Sequence, residues 1–148
     1  MIKIPKLIYQ KMIEHAKTGF PNEACGILAG PPPKADRSAI KASADAHVVV
    51  VSEFFPMTNK DNSSISYFMD PKEQLVVFKK MRQLNIEMAA IFHSHVASVA
   101  YPSQKDIRLA FYPEVRYLIV SLSDMNKPIL RSFRIKDEKA SEEEIKIV

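Results

Sequence analysis

Two histidines close an apolar run in the segment Ile91-Phe92-His93-Ser94-His95. Residues i and i+2 of a strand share one face of the sheet, so at a strand end both imidazoles point the same way. Paired neutral imidazoles suit a zinc ion. A third ligand must come from elsewhere, and Asp106 is well placed. It falls in the first turn of a helix that follows the loop Val96 to Pro102, and that loop can fold the helix back toward the strand. Three protein ligands leave one position open for water, which is the catalytic rather than the structural arrangement. A helix N-terminus repels a cation through its dipole, so zinc at this position needs a carboxylate such as Asp106.

Each of these residues also has a plainer reading. His93, taken alone at the end of an apolar strand, suits a hydrogen-bonded core position. Ser103 and Asp106 fit an N-cap and its capping-box partner. The constellation adds what single residues lack. The chain has four histidines, and two of them share a strand face just before a capped helix. The other two, His15 and His47, read as a helix residue and a strand residue without partners.

The elements that must position these groups follow from periodicity and punctuation. A first helix is expected from Pro5 to about Thr18, with Gly19 at its stop and Leu7, Ile8, Met12, Ile13 and Ala16 as its apolar stripe. Glu23 to Ala29 reads as a strand ended by Gly30 and three prolines. Two further strands are expected around Ser38 to Ser43 and Ala46 to Phe55, then a polar loop from Pro56 to Ser64 and a short strand from Ile65 to Met69. Asp70-Pro71-Lys72-Glu73 offers an N-cap, a proline at N1 and a capping-box glutamate for a second helix. Met88 to His93 reads as a buried strand, and a third helix is expected from Ser103 to Tyr112. Val115 to Leu122 and Ile129 to Ile135 read as a hairpin, and Ile145 to Val148 as a last strand. Strands outnumber helices in mixed order. The fold class is therefore α/β of the α+β kind, with a curled mixed sheet flanked by helices.

At 148 residues the chain suits a single domain over its whole length. No apolar run is long enough to cross a membrane, and no secretory signal is visible. The single cysteine, Cys25, cannot form an internal disulfide. A cytoplasmic location is the expectation. The net charge of +4 is mild and its lysines and arginines are dispersed, which argues against a nucleic-acid partner. Cys25 reads either as a small buried filler or as a residue near the metal, because strand alternation would put it on the face of Glu23.

His93-Ser94-His95, seven residues, Ser103, two residues and Asp106 together resemble the JAMM (MPN) metalloprotease motif, H-[ST]-H-x7-S-x2-D, without a gap. Pro21-Asn22-Glu23-Ala24-Cys25-Gly26-Ile27-Leu28 is similar to that family's glutamate strand. Tyr67-Phe68-Met69-Asp70-Pro71 and Tyr117 to Leu122 resemble its flanking segments, so the resemblance covers nearly the whole chain. It implies the JAMM/MPN fold, which is similar to that of cytidine deaminases. It also implies a zinc-dependent hydrolase with His93, His95 and Asp106 as metal ligands. Glu23 would take a proton from the attacking water and pass it to the leaving amine, and Ser103 would donate to the oxyanion. Ser94 points away from its histidine neighbours and reads as strand support. The chain departs from the family in Val96, where proline is usual, and in Ala89-Ala90, where glycine is common. Both changes touch the loop and the substrate groove and leave the catalytic groups in place.

Three function classes follow. A metallopeptidase or isopeptidase leads. A non-catalytic MPN scaffold is the alternative, although such relatives typically lack ligands that this chain has. A deaminase needs H-x-E with P-C-x-x-C, which one cysteine cannot supply. Small prokaryotic members resemble enzymes that act on the C-terminal Gly-Gly tail of ubiquitin-like sulfur-carrier proteins, so such a carrier or its adduct is the expected partner.

Overall fold

The computed structural model describes residues 1–32 and 48–148. The strand expected at Ser38 to Ser43 and the residue His47 lie outside them. The described elements are, in order, β1 (Ile2–Ile4), α1 (Lys6–Gly19), β2 (Cys25–Gly30), β3 (Val49–Val50), β4 (Glu53–Met57) and α2 (Pro71–Gln83). They continue with β5 (Glu87–His95), α3 (Gln104–Arg108), β6 (Arg116–Ser121), β7 (Ile129–Lys136), β8 (Lys139–Glu143) and β9 (Ile145–Ile147).

Six strands form one mixed sheet in the order β4-β2-β5-β6-β7-β8. Only the β5–β6 pair is parallel; its neighbours are antiparallel. Strand alternation sorts the core. Ala90, Phe92, Leu118 and Val120 face one side, where Ile8, Met12 and Ala16 of α1 cover them. The other side carries two clusters. Val77 and Met81 of α2 pack over Cys25, Ile27, Phe55 and Met57, and Tyr117, Ile119 and Phe133 gather beside Ala100 and Val115. The helices thus flank a mixed sheet, as the element order requires. Among the described residues no helix is long and apolar enough to cross a membrane.

Several expectations need correction. The described part of the strand expected at Ala46 to Phe55, residues 48–55, serves two sheets, because β3 pairs with β1 while β4 pairs with β2. The crossing is tight at Gly30, where a Cβ would lie 1.8 Å from the Val50 carbonyl oxygen, so only glycine fits. Pro56 lies inside β4 rather than in a loop. It is tolerated because β4 is an edge strand among the described residues and its missing N–H need not pair. Ile65 to Met69 forms no strand beyond one bridge between Asn59 and Met69. Helix α2 starts as expected, with Asp70 accepting from the Lys72 N–H at 2.9 Å. Glu73, however, does not close a capping box. Its carboxylate binds the Thr58 backbone N–H and hydroxyl at 2.6 and 2.8 Å, tying the helix to the end of β4. Helix α3 stops at Arg108, well short of Tyr112. Past Leu109 the Ala110 N–H turns back to Ile107 O at 3.3 Å and the Phe111 N–H to Leu109 O at 3.1 Å, and the Tyr117 hydroxyl accepts the Tyr112 N–H at 3.1 Å.

Candidate metal centre

Strand β5 ends at His95, and alternation turns His93 and His95 to the face opposite α1. Both are buried, His93 with 1% of its surface exposed and His95 with 5%. Register brings Cys25 opposite His93, which places the start of β2 beside the histidines. Ser94 fastens this junction. Its hydroxyl accepts from the Ala24 N–H at 2.8 Å, and its own N–H donates to the Ala24 carbonyl at 2.9 Å. The expected support role for Ser94 thus has a physical form, since the residue it grips is the neighbour of Glu23. The Glu23 backbone is held from the other side. Its N–H donates to Ser63 O at 2.8 Å, and its carbonyl accepts from Asn59 Nδ2 at 3.0 Å.

Three ring and carboxylate atoms converge. His93 Nε2 and His95 Nε2 are 3.1 Å apart, and each is 3.2 Å from Asp106 Oδ2. Tetrahedral zinc with bonds of about 2.0–2.1 Å holds its ligand atoms about 3.3 Å apart, so the triangle has the size of one face of such a site. The His95 tautomer points the same way. Nδ1 donates to the Val99 carbonyl at 2.8 Å, which leaves the Nε2 lone pair of the neutral ring aimed at the triangle. Two acceptors then face each other, and a cation between them resolves the repulsion. A proton serves the same end. Burial opposes protonation of His95, but Asp106 and the Val99 carbonyl outweigh it and raise its pKa. Burial dominates at His93 and lowers its pKa.

Asp106 is aimed by the start of α3. Ser103 and Asp106 form a reciprocal capping box, with Ser103 N donating to Asp106 Oδ2 at 2.8 Å and Asp106 N to Ser103 Oγ at 3.0 Å. The capping reading and the ligand reading are therefore compatible, because one carboxylate oxygen meets both the cap and the histidines. Burial works against ionising Asp106, yet hydrogen bonds from the two histidines and Ser103 hold it below the usual carboxylate range. Glu23 behaves oppositely. It is 5% exposed, its Oε2 has no hydrogen-bond partner, and burial pushes its pKa up to about 7. The ligand atoms of Glu23, His93 and His95 all lie within 4.8 Å of one another. A buried glutamate poised near neutrality beside a cation-sized triangle is suited to proton transfer.

The loop after β5 is anchored where it passes the site, with Ser121 Oγ donating to the Ser98 carbonyl at 2.6 Å. Cys25 is fully buried in the cluster under α2, and burial pushes its thiol up to about 12. It stands outside the group of possible metal-binding atoms, as a packed filler would. His15, expected to lack partners, donates from Nε2 to the Cys25 carbonyl at 2.9 Å and packs its ring on Phe54 and Phe92. Two further neighbours of the site were not expected there. Tyr67 stacks on the His93 ring, and Asn59 binds the Glu23 carbonyl. Neither has a spacing signal, because both sit in an irregular loop.

A family model described as prokaryotic homologs of the JAB domain matches residues 5–136. The CysO-cysteine peptidase of Mycobacterium tuberculosis is 39% identical over 137 residues, covering 93% of this chain and 84% of the relative. A desampylase of Pyrococcus furiosus is 37% identical over 90 residues, covering 61% of each chain. Among solved structures, one from Desulfitobacterium hafniense matches with a TM-score of 0.84 at 40% identity, covering 100% of this chain and 93% of the other. A JAB1/MPN domain protein from Archaeoglobus fulgidus shares the fold, with a TM-score of 0.56 at 19% identity over 99% of this chain and 97% of the other. With the whole site inside the matched segment, the chain belongs to the prokaryotic JAB-domain family and is a hydrolase.

Proposed function

We propose that this chain is a zinc-dependent peptidase that hydrolyses the amide bond after the C-terminal Gly-Gly tail of a ubiquitin-like carrier protein. One observation carries the metal reading: two imidazole Nε2 atoms and Asp106 Oδ2 meet within 3.2 Å beside a buried glutamate whose Oε2 has no hydrogen-bond partner. His93, His95 and Asp106 would hold the zinc. Bound zinc supplies Lewis acidity to the scissile carbonyl and the attacking water. Glu23 accepts the water's proton and delivers it to the leaving amine, a task suited to a pKa near 7. The Ser103 oxygen is occupied as a helix cap, while its O–H proton stays available to donate to the developing oxyanion. The cap thereby fixes where that donor stands.

The substrate class rests on the relatives named CysO-cysteine peptidase and desampylase, together with the sheet. Among the described residues, strand β4 is an outer strand beside β2, which leads back to Glu23. An extended tail can add to such an edge by backbone pairing. Glycines in that tail permit close approach where a side chain would clash.

Two carrier fusions test this. One presents Gly-Gly before a short peptide and the other Val-Val at the same positions. Release from the Gly-Gly fusion alone, abolished by a chelator and restored by zinc, is the expected result. Equal cleavage of both fusions, or of unfolded casein, would show that the tail is not what the site reads.

A further inference from the structure

The two candidate ligands of β5 are held in different ways. His95 is fixed by a hydrogen bond from Nδ1 to the Val99 carbonyl. His93 has no such bond, and its Nδ1 is buried without a partner. A metal-binding histidine almost always donates its other ring nitrogen to an oxygen, which sets the ring plane and the tautomer. Another constraint must act on His93, and the nearest ring supplies it. Tyr67 lies face-on to the imidazole, with centroids 4.5 Å apart and planes 23° from parallel.

This contact is built from its loop upward. Tyr67 sits between β4 and α2, in a stretch with no regular structure of its own. Asn59 organises that stretch with its whole amide. Nδ2 donates to the carbonyls of Glu23 and Ser66, both at 3.0 Å, and Oδ1 accepts the N–H groups of Asp61 and Phe68, both at 3.0 Å. These four bonds exhaust the capacity of an asparagine side chain. Two of them bracket Tyr67 at its neighbours on either side, and a third holds the backbone of Glu23. One side chain therefore sets both the ring that covers His93 and the carboxylate beside it.

We propose that Tyr67 is a positioning residue for the metal centre: its ring fixes the plane of the His93 imidazole in place of the hydrogen bond that Nδ1 lacks, and Asn59 holds Tyr67 in register with Glu23. The chemistry favours the stack most when metal is bound. An imidazole that donates its Nε2 lone pair to a cation becomes electron-poor, and the face of a tyrosine ring is electron-rich. The aromatic face is the working part, and the hydroxyl is dispensable. The proposal rests on His93 being a metal ligand.

The test measures zinc affinity by chelator competition and records the visible spectrum of the cobalt-substituted protein. Tyr67→Phe keeps the ring and should bind zinc within about twofold of wild type. Tyr67→Leu keeps comparable bulk without the π face and should lose about 10- to 100-fold in affinity, the range seen when a ligand's orienting partner is removed, with a shifted cobalt spectrum. Asn59→Ala leaves the ring but loosens its loop, and should fall between them. His93→Ala is the control: unchanged zinc affinity there removes His93 from the site and with it the metal reading. If His93→Ala loses zinc but Tyr67→Leu binds it as wild type does, Tyr67 positions nothing. Equal losses in the Phe and Leu variants would assign the role to the hydroxyl and overturn the proposal as well. Should Tyr67→Leu not fold, wild-type affinity in Asn59→Ala overturns it.

Discussion

Glu23 is a carboxyl that folding buries and leaves partly unpartnered, and this has a cost that can be measured. Burial raises its pKa from 4.5 to about 7. In the metal-free protein the folded state therefore holds a proton that the unfolded chain has already released across that interval. Folding stability then falls as pH rises from about 4.5 to about 7, by roughly 3 kcal/mol for a shift of this size. Glu23→Gln removes the titration while keeping a similar shape. The metal-free variant should be more stable than metal-free wild type at pH 8, and the gap should shrink near pH 4.5, as thermal melts at the two pH values will show. The same variant should keep its zinc and lose about 10²- to 10⁴-fold in activity, because glutamine cannot accept the proton. Loss of zinc instead would make Glu23 a ligand, and near-normal turnover would remove it from the mechanism. His93, His95, Ser103 and Asp106 were legible because their spacing encodes a strand face and a helix cap. Tyr67 and Asn59 were not, since a loop has no period from which to read direction.

Elements explain why the site survives as a unit. Ser94 joins β5 to Ala24 through two hydrogen bonds, one at its hydroxyl and one at its backbone. Ser94→Ala deletes the first and strands a buried N–H, since Ala24 is 4% exposed. The expected loss is about 1–3 kcal/mol, read from chemical denaturation. The His93 and His95 rings lie on the other face, so zinc content should stay at the wild-type level while kcat/KM falls as Glu23 is freed to drift. A variant that loses zinc and stability together would place Ser94 in the metal site rather than behind it. The strands of this junction were readable because β2 and β5 are buried apolar runs. Strands β1 and β8 were not foreseen. The first is three residues long. The second, Lys139-Ala140-Ser141-Glu142-Glu143, is polar along an exposed edge and reads as an acidic tail. It is defined by its partner β7 rather than by its own pattern. Helix α3 is shorter than its capped start suggests, because after Arg108 the backbone tightens into turns (Ala110 N–H to Ile107 O, Phe111 N–H to Leu109 O) that carry no sequence signal.

At the scale of the whole molecule, the candidate site and a buried ion-pair cluster stand at opposite ends of the central strands. Along β6, Ser121 stands opposite His95 and Arg116 stands opposite Ala90. Five residues of strand separate the two levels, about 16 Å at the usual rise. At the far level the Arg116 guanidinium grips Glu143 of β8 through Nε at 2.7 Å and Nη2 at 3.0 Å, and the chain's first amine reaches the same carboxylate. Nearby, β9 pairs with β1, so this cluster joins the last strands to the first. Burial opposes ionisation of Glu143, but Arg116 and the N-terminal amine outweigh it and lower its pKa. A depressed carboxyl contributes stability above its unfolded pKa, near 4.3 for glutamate, and that stability is lost as pH falls through the folded value. Glu143→Gln should therefore melt at a lower temperature than wild type at pH 7. The penalty should be roughly 3 kcal/mol for removing one partner of a largely buried pair. The two proteins should converge as the pH falls past the unfolded value and on through the lowered folded one, where the wild-type carboxyl is itself protonated. Because the cluster lies far from the histidines, zinc content and kcat/KM at pH 7 should match wild type at temperatures where both are folded. A melting difference that persists unchanged into acid would mean that Glu143 acts through packing rather than charge, and a fall in kcat/KM at full zinc loading would mean that the two ends of the sheet are coupled.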